Sequence, residues 1–314
     1  MRIGMIGLAL SHPYKFAELM SERADVEFHV CDPEPPRVAT FVAAHRGTTV
    51  HRGADAVVSA GVDAVMVCSE ADRHVQDARG AIEAGVPTFV DKVMAITPAD
   101  LDTFDDLVSR TGTPVLSSSA LRFGSPYVAL ANEVRDGRLG TVTAATATVT
   151  HGIESYLVPG NTWQDEIDRG GGTLVNMGIH GVELVTAVAG AGARRVWATG
   201  GRRAIPATRS EDTAMITIEY SDGRVASVHV DCGSARPGRY AVSVFGSQAE
   251  AGTDLSRSED PPGVAVGYAG VVEHTLAMAE GADAPVPWEE TREVIAVLLA
   301  ARQAMTTGDA VRVA

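Results

Sequence analysis

Residues 1–120 alternate short runs of β-branched and apolar residues with amphipathic stretches, and this alternation constrains the fold more than any other feature. Residues 2–7, 26–31, 63–68, 87–90 and 115–118 read as strands, and 12–21, 36–45, 71–84 and 98–109 as helices. The strand runs are continuously apolar, so both of their faces are expected to be buried. Strands and helices in strict alternation predict a parallel, doubly wound α/β sheet. Turn residues punctuate the elements: Asp32-Pro33, Gly61, Gly85-Val86-Pro87 and Gly112-Thr113-Pro114.

After Ser125-Pro126 the texture changes. A helix is expected over 127–135, stopping near Gly137 and Gly140, followed by a strand over 141–150 in which Thr alternates with Val and Ala. Further strands are expected at 195–198, 213–220, 224–230 and 240–245, with Ser221-Asp222-Gly223 as a hairpin turn. Helices are expected at 174–188, 272–280 and 288–306, and 254–263 reads as a polar, Pro-containing loop. Alternation of this kind suits an open, mostly antiparallel sheet with helices on one face. The expected architecture is an N-terminal dinucleotide-type α/β domain (1–120) and an α+β domain (121–314). A sheet face left open is most often covered by a second copy of the chain, so a homodimer or homotetramer through that sheet is expected.

Composition excludes several function classes. The 314 residues suffice for about two domains. With 26 basic against 40 acidic residues and a net charge of −14, nucleic-acid binding is not expected. No run approaches the ~18 uninterrupted apolar residues of a membrane helix, and the N-terminus does not read as a signal peptide. Cys31, Cys68 and Cys232 are widely spaced, which argues against a disulfide framework or a Cys-based metal site and fits a reducing cytoplasm. Only two of the 26 basic residues are lysines, Lys15 and Lys92.

Three motifs carry candidate chemistry. The first strand ends in Gly7-Leu8-Ala9-Leu10-Ser11-His12, a GxAxxH variant of the GxGxxG dinucleotide fingerprint. It follows a strand and opens a helix, and Asp32 closes the next strand, where a carboxylate can accept from an adenosine ribose; this favours NAD, with NADP as the second option. A domain that has lost its nucleotide would look the same. Lys92, in Val90-Asp91-Lys92-Val93, follows a strand end, where ligands sit in open α/β sheets. It can donate to a nicotinamide carbonyl or a substrate hydroxyl, or be an ordinary surface lysine. The third motif runs from Arg169 through Gly170-Gly171-Gly172 to Asn176 and His180. Four residues apart on a helix, Asn176 and His180 share a face and could hold a diol and move a proton, or be a satisfied core pair. His74 can line a cofactor cleft or start a helix in solvent; Tyr156 and Trp163 can stack on a sugar ring or pack in the core. Ser117–Ser119 is a serine run with no triad signature beside it. No metal site is expected: only Glu183 stands near His180.

Together these residues resemble the Gfo/Idh/MocA family of dinucleotide-dependent oxidoreductases over nearly the full chain. The carriers are residues 67–92 with His74, Ala81–Gly85 and Asp91-Lys92-Val93, resembling the units that lead into the family's EKP motif. Leu121-Arg122-Phe123 with Gly137–Gly140, Gly170–His180, the hairpin of 212–230, Phe245-Gly246 and the final helix also fit. The resemblance implies a Rossmann domain and hydride transfer between NAD and a hydroxyl-bearing carbon of a sugar, cyclitol or related polyol. It implies Lys92 and His180 as catalytic residues and puts Asn176 at the position of the family's aspartate; Asn176, Arg122, Trp163 and Tyr156 are the candidate substrate contacts. The candidate cofactor contacts are Gly7, Ala9, Ser11, His12, Asp32, Ser69, His74, Asp91 and Lys92. Relatives that use NAD transiently for elimination or hydrolysis, and non-catalytic sugar- or dinucleotide-binding proteins, are the alternatives. Three motifs depart from the family pattern. His12 replaces a glycine. Asp91 and Val93 replace Glu and Pro, which removes any prolyl preference for a cis bond. Asn176 replaces an aspartate, so it supplies a hydrogen bond without charge.

Overall fold

The computed structural model describes residues 1–22, 25–234 and 238–313. Within it the chain forms two units, one of Met1–Ser118 with Tyr268–Thr291, the other of Ser119–Gly267 with Arg292–Ala314. A single cut at residue 120 therefore misplaces Tyr268–Thr291, whose helix buries Val271, Val272 and Leu276 with the first unit.

The first unit opens β1 (Arg2–Ile6), α1 (His12–Met20), β2 (Glu27–Cys31), α2 (Pro35–Ala44), β3 (Thr49–Val50), α3 (Ala54–Ser59) and β4 (Ala64–Val67). It continues with α4 (His74–Glu83), β5 (Thr88–Val90), α5 (Pro98–Thr111) and β6 (Val115–Ser117). The strands pair in parallel in the order β3-β2-β1-β4-β5-β6. This is the doubly wound order whose direction reverses beside β1, the place where such sheets bind ligands. The apolar runs behave as expected: Ile3, Met5, Val65, Val67 and Val90 are buried. The turn residues also act locally. Thr97 caps α5 by accepting from the Asp100 N–H, and Gly112 ends it at φ 67°, a conformation that costs other residues energy. In this unit two elements escaped the sequence reading, β3 and α3. Two strand residues and a six-residue helix carry too little periodicity to register.

The second unit contains α6 (Ser125–Arg135), β7 (Val142–Thr150), α7 (Ile167–Gly170), α8 (Gly172–Ala189), β8 (Ala193–Gly201), β9 (Thr213–Tyr220), β10 (Val225–Asp231), β11 (Arg239–Gly246) and β12 (Glu250–Asp254). The chain ends with α9 (Pro262–Ala265), α10 (Tyr268–Ala279) of the first unit, α11 (Trp288–Thr307) and β13 (Val311–Arg312). The sheet order is β12-β11-β7-β10-β9-β8-β13. All pairs are antiparallel except β7 with β10, which run parallel because a long excursion separates them. The expected polar loop over 254–263 instead contains a 3-10 turn, Leu255–Arg257, and the start of α9.

One face of this sheet, with Val149, Val196, Ile216, Ile218, Val228 and Val244, is buried, and α8 packs on it. The stretch 167–189 is long and apolar enough to cross a bilayer, yet it is largely buried as the core helix of this unit. The outer face leaves Trp197, Met215, Val225 and Phe245 exposed.

Candidate functional site

The first unit gathers its candidate residues at the carboxyl ends of β1, β2, β4 and β5. Gly7 ends β1 at φ 80°, and a Cβ there would lie 2.4 Å from the Ser69 backbone, so only glycine fits where β1 and β4 converge. The loop is then stitched to its neighbours. The Gly7 N–H donates to Cys31 O (2.9 Å) and the Ala9 N–H to Cys68 O (3.0 Å). The Leu8 N–H donates to Asp32 Oδ2 (2.6 Å), while Asp32 Oδ1 accepts from the Glu34 N–H (2.7 Å). Arg37 Nη1 lies 3.5 Å from Asp32 and 3.0 Å from Glu70. Beyond the stitched loop the first N–H groups of α1 have no intrahelical acceptor, the condition that suits an anion. Ser11, the cap residue, makes no side-chain cap bond and is exposed. Beside the loop lies a cavity of about 100 Å³ lined by Gly7, Asp32, Pro33, Arg52, Arg73 and Asp77.

His12 turns its Nδ1 to Asp91, at 2.8 Å and 3.0 Å from the two carboxylate oxygens. Asp91 is 2% exposed and also accepts from the Lys92 N–H at 2.8 Å. Burial alone would raise its carboxyl; the charge and hydrogen bond of His12, with Lys92, outweigh burial and hold it below the ordinary carboxylate value. Lys92 follows the end of β5 and is buried, 6% exposed. The Lys92–Val93 peptide is cis, although valine carries no intrinsic preference for it. His74 differs from its expected role as a cofactor contact. It is 1% exposed, with Nδ1 3.0 Å from Val93 O and Nε2 3.0 Å from Ser69 O. Both ring nitrogens lie within 3.0 Å of the chain's own carbonyls, so His74 sits between the loops after β4 and β5.

The second unit places its candidates on and around α8. Gly171 and Gly172 adopt φ 81° and 68°, and a Cβ on Gly170 would lie 2.4 Å from Trp163 O; the glycine run is a steric requirement of this tight start. The helix N-terminus is held by acidic and hydroxyl groups. Leu174 N–H donates to Glu211, Thr173 N–H to Ser210 Oγ (3.1 Å), and Arg302 closes on Glu211 at 2.8 and 2.9 Å. A carboxylate at that end also suits the helix dipole.

Asn176 is 3% exposed and its Nδ2 donates to Gln164 O at 3.3 Å. His180, one turn later, sets Nδ1 2.6 Å from Ser119 Oγ and its ring edge-on to Tyr240 at 5.3 Å. Arg122, expected against substrate, pairs its Nη1 with Glu183 at 3.0 Å. Tyr156 stacks near His151 (6.2 Å) and its OH faces Met177 Sδ (3.5 Å). Trp163 is 4% exposed, and its buried indole N–H has no hydrogen-bond partner among the described residues. Sequence reasoning missed three relations: His12 with Asp91, Ser119 with His180, and Arg122 with Glu183. The serine run over 117–119 was the only signal for the second, and nothing local marked the others.

Among the described residues no three His, Cys, Asp or Glu side chains gather as a metal site. The three cysteines are free and buried, and burial first of all pushes Cys31 and Cys232 up to about 12 and Cys68 well above its ordinary value, so these thiols stay protonated.

A parallel sheet of this order, a glycine turn with an aspartate on the next strand, and a helix carrying Asn176 and His180 define a two-unit, dinucleotide-dependent oxidoreductase. Residues 1–118 match the family model "Oxidoreductase family, NAD-binding Rossmann fold", and 127–251 match "GFO/IDH/MocA C-terminal domain". The chain belongs to the Gfo/Idh/MocA family, and its first domain is an NAD-binding Rossmann domain. It is similar to the myo-inositol dehydrogenase Hyg17 of Streptomyces leeuwenhoekii, 24% identical over 306 residues, 89% of this chain and 90% of the relative. It is similar to the inositol 2-dehydrogenase of Rhizobium meliloti, 25% identical over 216 residues, 68% of this chain and 63% of that one. Among solved structures, the WlbA dehydrogenase from Bordetella pertussis, in complex with NADH and UDP-GlcNAcA, shares its fold at TM-score 0.85 and 17% identity. That match covers 100% of this chain and 98% of the other.

Proposed function

We propose that this chain is an NAD-linked dehydrogenase acting on a secondary hydroxyl of a cyclitol, sugar or related polyol. The observation that carries the reading is Lys92: a buried lysine directly after β5, in a sheet whose order places ligands at those strand ends. The similar proteins, two of them named as inositol dehydrogenases, support the substrate class.

The residues present fit the cofactor. The open N–H groups at the start of α1, with the uncapped Ser11, suit a pyrophosphate. Gly7 and Ala9 form the turn beneath it, and Ser69 follows β4 beside that turn. Asp32 lines the adjoining cavity; its carboxylate accepts the Leu8 and Glu34 N–H groups and lies 3.5 Å from Arg37 Nη1. A carboxylate there favours NAD over its 2′-phosphorylated form. When bound, the nicotinamide supplies the hydride acceptor.

The chain's own groups handle the proton. His180 takes it from the substrate hydroxyl, and Lys92 holds the oxygen as negative charge develops on it. Asn176 orients the diol, with Tyr156 and Trp163 around it. Arg122 works indirectly: its pairing with Glu183 fixes the α8 turn that follows His180. Asp91 and His12 set the charge beside Lys92. In this reading the protein is cytoplasmic and self-associates through the open sheet face.

The test is turnover with NAD⁺ on a panel of inositols and glycosides. Lys92→Ala and His180→Ala should each lower kcat/KM by about 10²–10⁴-fold while the variants still bind NAD. Undiminished turnover in both variants overturns the reading.

A further inference from the structure

We propose that Ser119 is a positioning residue for His180, holding the imidazole through Nδ1 and leaving Nε2 as the nitrogen that exchanges the proton. The inference rests on the reading of His180 as the acid/base.

The contact is built into the fold. Ser119 Oγ and His180 Nδ1 are 2.6 Å apart, and Ser119 is fully buried, so water does not compete for the hydroxyl. Ser119 immediately precedes the 3-10 turn Ala120–Phe123, and its carbonyl accepts the Arg122 N–H at 3.1 Å. Three residues on, Arg122 pairs with Glu183, itself three residues beyond His180. Ser119 and Arg122 thus meet His180 and Glu183 with matched spacing, since residues three apart lie on one side of both kinds of turn. Two such contacts fix the turn to α8 in one register.

The rest of the surroundings explains why a hydroxyl serves here. Ser119 meets the ring from the turn and Tyr240 from β11, while Asn176 and Glu183 lie four residues before and three after His180 on α8. The Glu183 carboxylate is engaged by Arg122, and Asn176 directs its Nδ2 to Gln164 O. A carboxylate partner would only accept, and its charge would favour the imidazolium. A serine hydroxyl can donate or accept, and in the proposed arrangement it accepts from Nδ1 without adding charge. In the base form the ring proton sits on Nδ1 and is donated to Ser119 Oγ, and the Nε2 lone pair takes the substrate proton. The reverse reaction returns that proton from Nε2, and the Nδ1–H to Oγ bond persists throughout. The other neutral tautomer, with its proton on Nε2, cannot act as a base.

The experiment uses the full-length protein labelled with ¹⁵N-histidine, with His180 assigned by loss of its signals in His180→Gln. In the unsubstituted protein the neutral ring is expected to carry its proton on Nδ1. In Ser119→Ala that preference is expected to collapse to a tautomer mixture. With NAD⁺ and myo-inositol, kcat should then fall by about tenfold or more, the loss typical of removing a group that orients a functional histidine. KM for NAD⁺ should be unchanged, and Ser119→Thr should restore the tautomer. A neutral His180 protonated on Nε2, or the same tautomer with and without the serine hydroxyl, overturns the proposal. If the unsubstituted protein turns over no polyol, the dehydrogenase reading fails, while the spectra still decide whether Ser119 sets the ring.

Discussion

At the scale of single residues, the pairing of half-buried His12 with buried Asp91 shows how a departure from a motif can be compensated. The fingerprint glycine is replaced by a histidine, and the shortened acidic residue before Lys92 is its partner, at 2.8 Å. Burial pushes the Asp91 carboxyl up, and His12 with Lys92 brings it below the ordinary value. A carboxyl with a depressed folded pKa contributes stability above its unfolded pKa, and that contribution is lost as pH falls through the folded pKa. In His12→Ala the burial cost loses its main opponent, so the Asp91 carboxyl should rise. The acid limb of unfolding, followed by circular dichroism, should move to higher pH, with a stability loss of about 3 kcal/mol near neutrality. An acid limb that stays in place would show that Lys92 alone balances the buried charge. None of this was readable from the sequence. His12 and Asp91 are far apart in the chain, and only the parallel pairing that places β1 and β5 on either side of β4 brings their ends together.

At the scale of elements, α8 decides the geometry of the second unit's candidate groups. Its position along the sheet depends on Gly181, next to His180: a Cβ there would lie 2.3 Å from Val228 Cγ1 on β10. Gly181→Ala should therefore force α8 away from the sheet and cost about 1–3 kcal/mol by overpacking, despite alanine's better helix propensity. Urea unfolding should report that loss, and turnover should fall with it as His180 moves. Equal or greater stability would mean the helix and β10 adjust without strain. Most elements were legible in advance because their signals are local. The apolar runs of β1, β4 and β5 and the alternation of β9 and β10 fixed both type and place. The glycine run announced a tight start to α8. Edge strands β3, β12 and β13 were not legible, since short edge pairs draw on a neighbour already in place.

At the scale of the whole molecule, family membership and the two kinds of sheet were legible, because motifs spread along the chain constrained one another. Where Tyr268–Thr291 belongs was not, since an amphipathic helix does not name the surface it will cover. The open face of the second sheet carries the remaining expectation. Val225 pairs with Ala144, which pairs with Phe245 across the central strands, and Trp197 and Met215 stand exposed toward the other edge. An apolar outer face of this kind suits a second copy of the chain. Light scattering should give a multiple of the 32.8 kDa chain mass, and Trp197→Glu with Met215→Glu should reduce it. A monomer in the unsubstituted protein would leave that face without the proposed role.

The proposed chemistry depends on a compact ammonium, and not merely a positive charge, at position 92. The choice of lysine there, in a chain with only two lysines, makes the distinction testable. An arginine keeps the charge, but its planar guanidinium does not fit the point contact that a compact ammonium makes. The decisive measurement is NAD⁺ reduction with an inositol or glycoside substrate, compared between the unsubstituted protein and Lys92→Arg. The expected result is turnover in the former and a loss of about 10²-fold or more in the latter, with NAD still bound. Equal turnover in the two proteins, or none in the unsubstituted protein across the substrate panel, would contradict the assignment.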